Sequence, residues 1–353
     1  MSSGAAIVTT LRNAGPVLDS FVTYHLAIGF EHIFLFFDDP ADPDLQRFAA
    51  NPKVTATPYD AALRRGWEKL PTYSGVAAFI ETEVMARQIL NTSMAISMAR
   101  QRGLEWLLHI DADELFFSPS QSAAEHFASL RHQPSETVIY RNLEVVPERD
   151  DIGDFFREAD LFKVPRKIRR SPLSEDGARL LAATPQLQPK LFHAYNNGKS
   201  AVRLSAADVW PLGVHRFGRD GGDVFWKKSR QQFILHYPCC GFDAFWEKYA
   251  TLGRFPDQWW GKDNIAAAGL TTHLESRDVV ATGDRDAARA FYHQRIAIRD
   301  REQVAALINA GILARFPQPR EILQMANATA ARRLLYRIRG KIRALNRWTP
   351  ASH

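Results

Sequence analysis

The chain has 353 residues, 46% of them hydrophobic and 24% charged, a balance that fits a globular protein with a substantial core. It has no run of about 18 apolar residues and so offers no transmembrane helix, and its two cysteines, Cys239 and Cys240, are adjacent and exclude a disulfide framework. Of the net charge of +6, residues 331–353 carry +7 with no acid, so the rest sums to −1, and a nearly neutral body argues against a nucleic-acid partner.

The first residues, Met1-Ser2-Ser3-Gly4, have no basic n-region, and Ala5-Ala6-Ile7-Val8 is too short for a signal peptide, so cytosol is the expected compartment. Residues 5–11 read as a buried strand that ends at Arg12-Asn13-Ala14-Gly15-Pro16. Pro16 suits the first turn of a helix. Val17, Leu18, Phe21, Val22, His25, Leu26 and Ile28 follow at helical spacing, with Gly29 as C-cap. A second strand, residues 32–37, runs into Asp38-Asp39-Pro40. Strand, helix and strand in this order make a βαβ unit and predict a parallel sheet, hence the α/β class.

Neither a Gly-x-Gly-x-x-Gly fingerprint nor a Gly-Lys-Ser/Thr phosphate loop is present, which argues against a dinucleotide-binding enzyme or a P-loop NTPase. Asp38 and Asp39 stand where a ribose or base would be met, or else build a turn with Pro40. Residues 42–50 read as a short helix, 53–57 as a short strand, 58–75 as a loop, and 79–102 as a long helix stopped by Gly103.

Then comes the most informative stretch, from Trp106 to Phe117: Trp-Leu-Leu-His-Ile-Asp-Ala-Asp-Glu-Leu-Phe-Phe. An apolar run entering three acids fits a buried parallel strand whose carboxyl end meets a ligand. Alternation along that strand would send Asp111 and Asp113 to one side, with Ala112 leaving room between them. Two hard carboxylates so placed suit Mg²⁺ or Mn²⁺ shared with a phosphate. The competing reading has the acids cap the next segment or pair with arginines.

Further on, residues 121–131 read as a helix, 137–140 as a strand leading into 142–148, and 147–188 as a loop-rich insertion. Residues 188–203 read as two strands about the Asn197-Gly198 turn. His215 and His236 each lie in an apolar, strand-like run, as core residues or as a third metal ligand. Residues 242–252 form an aromatic helix, and Trp259-Trp260 either stack on sugar rings or fill core. Residues 285–310 read as one helix. Residues 319–347 read as a basic amphipathic helix that lies on anionic lipid or packs its apolar stripe on the body.

The ordered set Leu11-Arg12-Asn13, Tyr24-His25, Gly29-Phe30-Glu31-His32, Asp38 and Trp106 … Ile110-Asp111-Ala112-Asp113-Glu114 resembles the GT-A-fold glycosyltransferases, nearest to the family 2 and family 92-like enzymes. Gly198-Lys199-Ser200, Val214-His215 and His236-Tyr237 are similar to later landmarks of that group. Ala14 stands where the family often has Glu, and Asp39-Pro40-Ala41 where it often has Asn-x-Ser. The resemblance implies a GT-A, Rossmann-like domain over residues 1–280, its mostly parallel sheet flanked by helices. A helical extension (281–330) and the basic tail (331–353) would follow.

It also implies a function: metal-dependent transfer of a sugar, of the hexosyltransferase class, from a nucleotide-diphosphate sugar to a hydroxyl of a saccharide or glycolipid acceptor, with inversion. Mn²⁺ or Mg²⁺ would be held by Asp113 and Asp111, with His215 or His236 completing the set. Arg12, Asn13, Asp38 and Asp39 would lie near the nucleoside, and Lys199 or Arg203 would add charge near the phosphates. Glu144, Glu148 and Asp243 are the candidate bases, while Glu114 orients the metal-binding turn. The setting expected is cytoplasmic polysaccharide synthesis, with the tail resting on a membrane face.

Two other classes compete. A haloacid-dehalogenase-type phosphatase also ends a strand with Asp-x-Asp, but normally on its first strand and followed by Thr or Val, where Glu114-Leu115 stand here. A non-catalytic carbohydrate-binding protein on the same fold is the other.

Overall fold

The computed structural model describes residues 4–15, 17–169, 171–219 and 222–330. Pro16 and the basic tail, with the membrane contact expected of it, lie outside the described residues. The chain opens with β1 (Ala5–Leu11), α1 (Val17–Ala27), β2 (His32–Phe37), α2 (Asp44–Ala49) and β3 (Val54–Pro58). Then come α3 (Ala61–Trp67), α4 (Tyr73–Val76), the long α5 (Val84–Gln101), β4 (Trp106–His109), β5 (Glu114–Phe117), α6 (Ala123–Ser129) and β6 (Thr137–Glu144). After β7 (Leu161–Lys163) follow β8 (Lys199–Arg203), the short pair β9 (Trp210–Pro211) and β10 (Phe217–Gly218), and β11 (Trp226–His236).

Eight of these strands form one sheet in the order β3-β2-β1-β4-β8-β6-β11-β5. The first four are parallel, with Ile7 opposite both Ile33 and Leu108. Their continuous apolar runs are buried throughout β1, β2 and β4, as strands covered on both faces must be. From β4 the sheet turns antiparallel, β8 pairing with β4 and with β6. The α/β class stands, and the parallel character belongs to its first half.

The order of the strands decides where a ligand can go. The chain moves outward from β1 to β2 and β3, then returns through α5 to place β4 on the other side of β1. The direction of winding therefore reverses between β1 and β4, and open sheets bind ligands outside the carboxyl ends at such a point.

By packing, the chain divides into two units, one built chiefly from Met1–Asn142 and Asn197–Ile234, the other from Leu143–Asn196 and Leu235–Leu323. The residues expected as a single domain to position 280 are thus shared between both. One core of the second unit gathers Val146, Leu161, Leu187, Val304, Leu307 and Leu313, and another gathers Phe242, Phe245, Tyr249 and Tyr292.

Several local expectations are corrected. Residues 58–75 are largely helical: Asp60 caps α3 by accepting the Leu63 N–H at 2.8 Å, and Leu63 and Trp67, one turn apart, are buried. The stretch from Trp106 to Phe117 is two strands rather than one. No hairpin forms about Asn197-Gly198, because only β8 is a strand there, while the His193 and Ala194 N–H groups are taken by the Glu144 carboxylate. The stretch 285–310 breaks into two helices, Arg285–Arg295 and Arg301–Asn309, the second capped by Asp300.

Candidate active site

Between β4 and β5 the chain makes a tight turn. The Glu114 N–H donates to the Asp111 carbonyl at 3.1 Å, and the Asp111 N–H donates to Glu114 Oε2 at 2.8 Å. Asp111 and Asp113 are therefore turn residues, not alternate residues of a strand. Glu114 is fully buried and shapes the turn. Ile110 remains tied to β1 through its N–H and the Val8 carbonyl, 3.2 Å apart. The acids thus start where β4 ends, beside the end of β1 and at the reversal of strand order.

The Asp111 carboxylate is engaged on both sides. Its Oδ1 accepts from Gln88 Nε2 at 2.7 Å, and its Oδ2 lies 2.7 Å from Lys199 Nζ. The same ammonium stands 3.7 Å from Glu114 Oε2. Burial pushes the Asp111 carboxyl upward, but the Lys199 charge beside it holds it below the ordinary value. Burial likewise works against the Lys199 charge, and Asp111 and Glu114 more than restore it.

Lys199 reaches this position because of the residue before it. Gly198 has φ +79°, and a Cβ there would meet the Tyr140 carbonyl oxygen at 2.1 Å, so only glycine permits this approach. The Gly198 carbonyl in turn accepts from His215 Nδ1 at 2.9 Å. The buried His109 imidazole is pushed down to about 3, by burial and then by Lys199, and stays neutral.

Helix α5 ties the strand ends together. Arg87 grips Asp38 at the end of β2, Gln88 holds Asp111, and Asn91 Nδ2 donates to Thr10 Oγ1 of β1 at 2.9 Å. Trp67 Nε1 fixes the Asn91 amide by donating to its Oδ1 at 3.1 Å. Sequence reading missed Arg87, Gln88 and Asn91. Their signal was three polar side chains, Arg87, Gln88 and Asn91, within about one turn in the first half of the helix.

Of the expected nucleoside residues, Arg12 and Asn13 stand exposed just after β1, Asn13 with φ 51° and its N–H 3.3 Å from Asp42 Oδ2. Asp39 accepts the Ala41 N–H at 2.8 Å, the turn role weighed for it. Arg203 departs from expectation. It sits at the other end of β8 from Lys199, where its guanidinium donates to the carbonyls of Leu130, Gln133 and Ser135 and covers the Trp106 ring.

The remaining candidates belong to the second unit. His236 lies against the Tyr195 ring, centroids 4.9 Å apart. Glu144 is 2% exposed, bound to Lys163 Nζ at 2.6 Å and to the His193 and Ala194 N–H groups. Burial would raise its carboxyl, but the Lys163 ammonium and these donors hold it down to about 2, a structural anion rather than a proton acceptor. Glu148 pairs with Arg315 at 2.7 Å, and Asp243, 77% exposed, with Arg285 at 2.6 Å. Trp259 and Trp260 are half-buried.

The donor set can be tested against a metal. Among the described residues no three His, Cys, Asp or Glu side chains cluster closely enough to hold an ion unaided. Mg²⁺ and Mn²⁺ bound with a phosphate need only one or two carboxylates, the rest coming from water and phosphate oxygens. Asp113 and the remaining lone pairs of Asp111 fit that demand, for an ion that arrives with a diphosphate.

No protein-family model matches the chain. It is similar to two Arabidopsis thaliana proteins. Glycosyltransferase-like At2g41451 is 28% identical over 330 residues, covering 90% of this chain and 71% of the relative. Glycosyltransferase-like At3g57200 is 25% identical over 335 residues, covering 90% and 62%. Among solved structures, S. aureus TarS aligns with 93% of this chain and 53% of its own at 11% identity, with a TM-score of 0.34. The chain thus spans about two thirds of the length of its curated relatives, and those relatives support a glycosyltransferase.

Proposed function

We propose that the chain transfers a sugar from a nucleotide-diphosphate donor to a hydroxyl of a saccharide or glycolipid acceptor, on a GT-A-type site. The observation that carries this reading is the Asp111-Ala112-Asp113 turn at the carboxyl end of β4, where the strand order reverses beside β1. The exposed Arg12 and Asn13 at the end of β1 and the Arg87–Asp38 fork at the end of β2 offer polar groups for the nucleoside.

Asp113, with Asp111, would hold Mn²⁺ or Mg²⁺ there. Such an ion, when bound, stabilises the charge that grows on a departing diphosphate. Glu114 keeps the turn closed, and Gln88 and Lys199 keep Asp111 oriented. Inversion needs a carboxylate to take the acceptor hydroxyl proton. Glu144 is spent on Lys163, and of the three candidates Glu148 and Asp243 keep contact with solvent.

The experiment is a panel of UDP- and GDP-sugars incubated with the protein and Mn²⁺, with release of the nucleoside diphosphate followed by chromatography. Release from at least one donor, lost in Asp113→Asn, is the expected result. Silence from a folded protein across the panel would contradict the UDP- and GDP-donor reading.

A further inference from the structure

Lys199 or Arg203 was expected to add charge near the donor's phosphates, and the structure buries Lys199 against the acidic turn. The side chain is 0% exposed, so its ammonium acts on other protein groups rather than on a ligand. Those groups are the acids of the turn: Asp111 Oδ2 stands at 2.7 Å and Glu114 Oε2 at 3.7 Å, and the Asp113 charge also acts on the ammonium. The chain delivers it there deliberately in backbone terms, through a Gly198 that no larger residue can replace without a clash on Tyr140.

We propose that the Lys199 ammonium is a built-in counter-cation that keeps Asp111 from acting as a full metal ligand, so that a divalent ion enters and leaves only together with the donor's diphosphate. The inference rests on the nucleotide-sugar reading of the site. Asp111 and Asp113, two residues apart on the turn, would otherwise both offer their carboxylates to a hard cation. With Lys199 in place, one negative charge is cancelled and Oδ2 faces an ammonium, which repels a second cation at the same oxygen. Gln88 occupies Oδ1 from the other side. A metal would then be offered Asp113 and an edge of Asp111, a set too weak to keep the ion without phosphate oxygens. An enzyme that must release its diphosphate product gains from this, since a tightly resident ion would hold the product back. Lys199 is in this sense a positioning residue that works through Asp111.

The test is a titration of Mn²⁺ alone, read by electron paramagnetic resonance of the free ion, on the wild-type chain and on Lys199→Met, with circular dichroism confirming the fold. The variant should bind Mn²⁺ at least about tenfold more tightly, because one nearby positive charge has gone. A general loss of structure would not tighten metal binding. Unchanged or weaker binding by a folded variant would overturn the inference.

The double variant Asp111→Asn with Lys199→Met removes the ion pair as a unit and carries the test if the single variant does not fold. It should bind Mn²⁺ within about threefold of wild type, since the net charge at the turn is unchanged. A loss of about tenfold or more would make Asp111 a full ligand and overturn the inference. Failure of the transferase reading itself is a separate result: no nucleoside diphosphate binds the wild-type chain with Mn²⁺ present.

Discussion

Arg87 holds Asp38 through two parallel hydrogen bonds, Nε to Oδ1 at 2.6 Å and Nη2 to Oδ2 at 2.7 Å. Its remaining nitrogen, Nη1, donates to the Ile80 carbonyl at 2.6 Å. One guanidinium therefore fixes the start of α5, the approach to it, and the end of β2. Both side chains are largely enclosed, which makes the fork worth more than a surface ion pair.

Arg87→Lys keeps the charge and loses the fork. Stability should fall by about 1–3 kcal/mol, because a lysine cannot satisfy both carboxylate oxygens and the Ile80 carbonyl in that plane. Urea unfolding measures this loss, and nucleotide titration should show a weaker affinity beside it.

Gln88→Leu removes the donor to Asp111 Oδ1 while keeping the side chain close to its original size. Nucleotide affinity should fall by at least about tenfold, the worth of one hydrogen bond to a charged group, with a smaller change in the melting temperature. Calorimetry on both variants at α5 separates an effect on the site from an effect on the fold.

Gly198→Ala should be among the most damaging single substitutions. The added Cβ would stand 2.1 Å from the Tyr140 carbonyl oxygen, on a backbone at φ +79°. Strain and clash together should exceed about 2 kcal/mol. They would also displace Lys199 and the carbonyl that receives His215, so nucleotide binding should be lost from whatever fraction still folds.

Glu144 predicts an acid limit. Its carboxyl is held at about 2 in the folded chain, below the range of an unfolded glutamate near 4.3. A group depressed in this way contributes stability that is complete above the unfolded value and is lost as pH falls toward the folded one. Stability from this pair should thus decline between about pH 4.3 and 2. Glu144→Gln, which leaves Lys163 buried without its anion, should cost about 3–5 kcal/mol at neutral pH and flatten that decline. Urea midpoints between pH 3 and 7 would check both.

The parallel half of the fold was legible because its signals are local. β1 and β2 fall where apolar runs put them, and in the second unit the helix at residues 242–252 falls where helical spacing puts it, since burial on both faces or along one stripe writes itself into consecutive residues. The break inside the 106–117 stretch was not legible. It depends on Glu114 folding back on the Asp111 N–H, and on β5 finding its place at the far edge of the sheet. There the Tyr24-His25 pair holds it, Tyr24 Oη donating to the Phe116 carbonyl at 3.0 Å and His25 Nε2 accepting the Phe116 N–H at 3.1 Å.

The site was half legible for the same reason. Asp111 and Asp113 announce themselves by an apolar run ending in acids. The partners of Asp111 lie 23 residues before it and 88 residues after it, and nothing local marks Gln88 or Lys199 as its neighbours. Lys199 was named for its charge and assigned to phosphate, yet its burial turns that charge inward. Arg203, four positions along the same strand, lies at the opposite end of it.

The most direct test of the account is isothermal titration of the full chain with UDP and with GDP, with and without Mn²⁺, beside Asp113→Ala. The account predicts binding of one nucleotide that depends on the metal and disappears in the variant. Binding that ignores both the metal and Asp113 would contradict the assignment of the turn. Absence of binding to either nucleotide by a folded chain would contradict the proposed UDP or GDP donor.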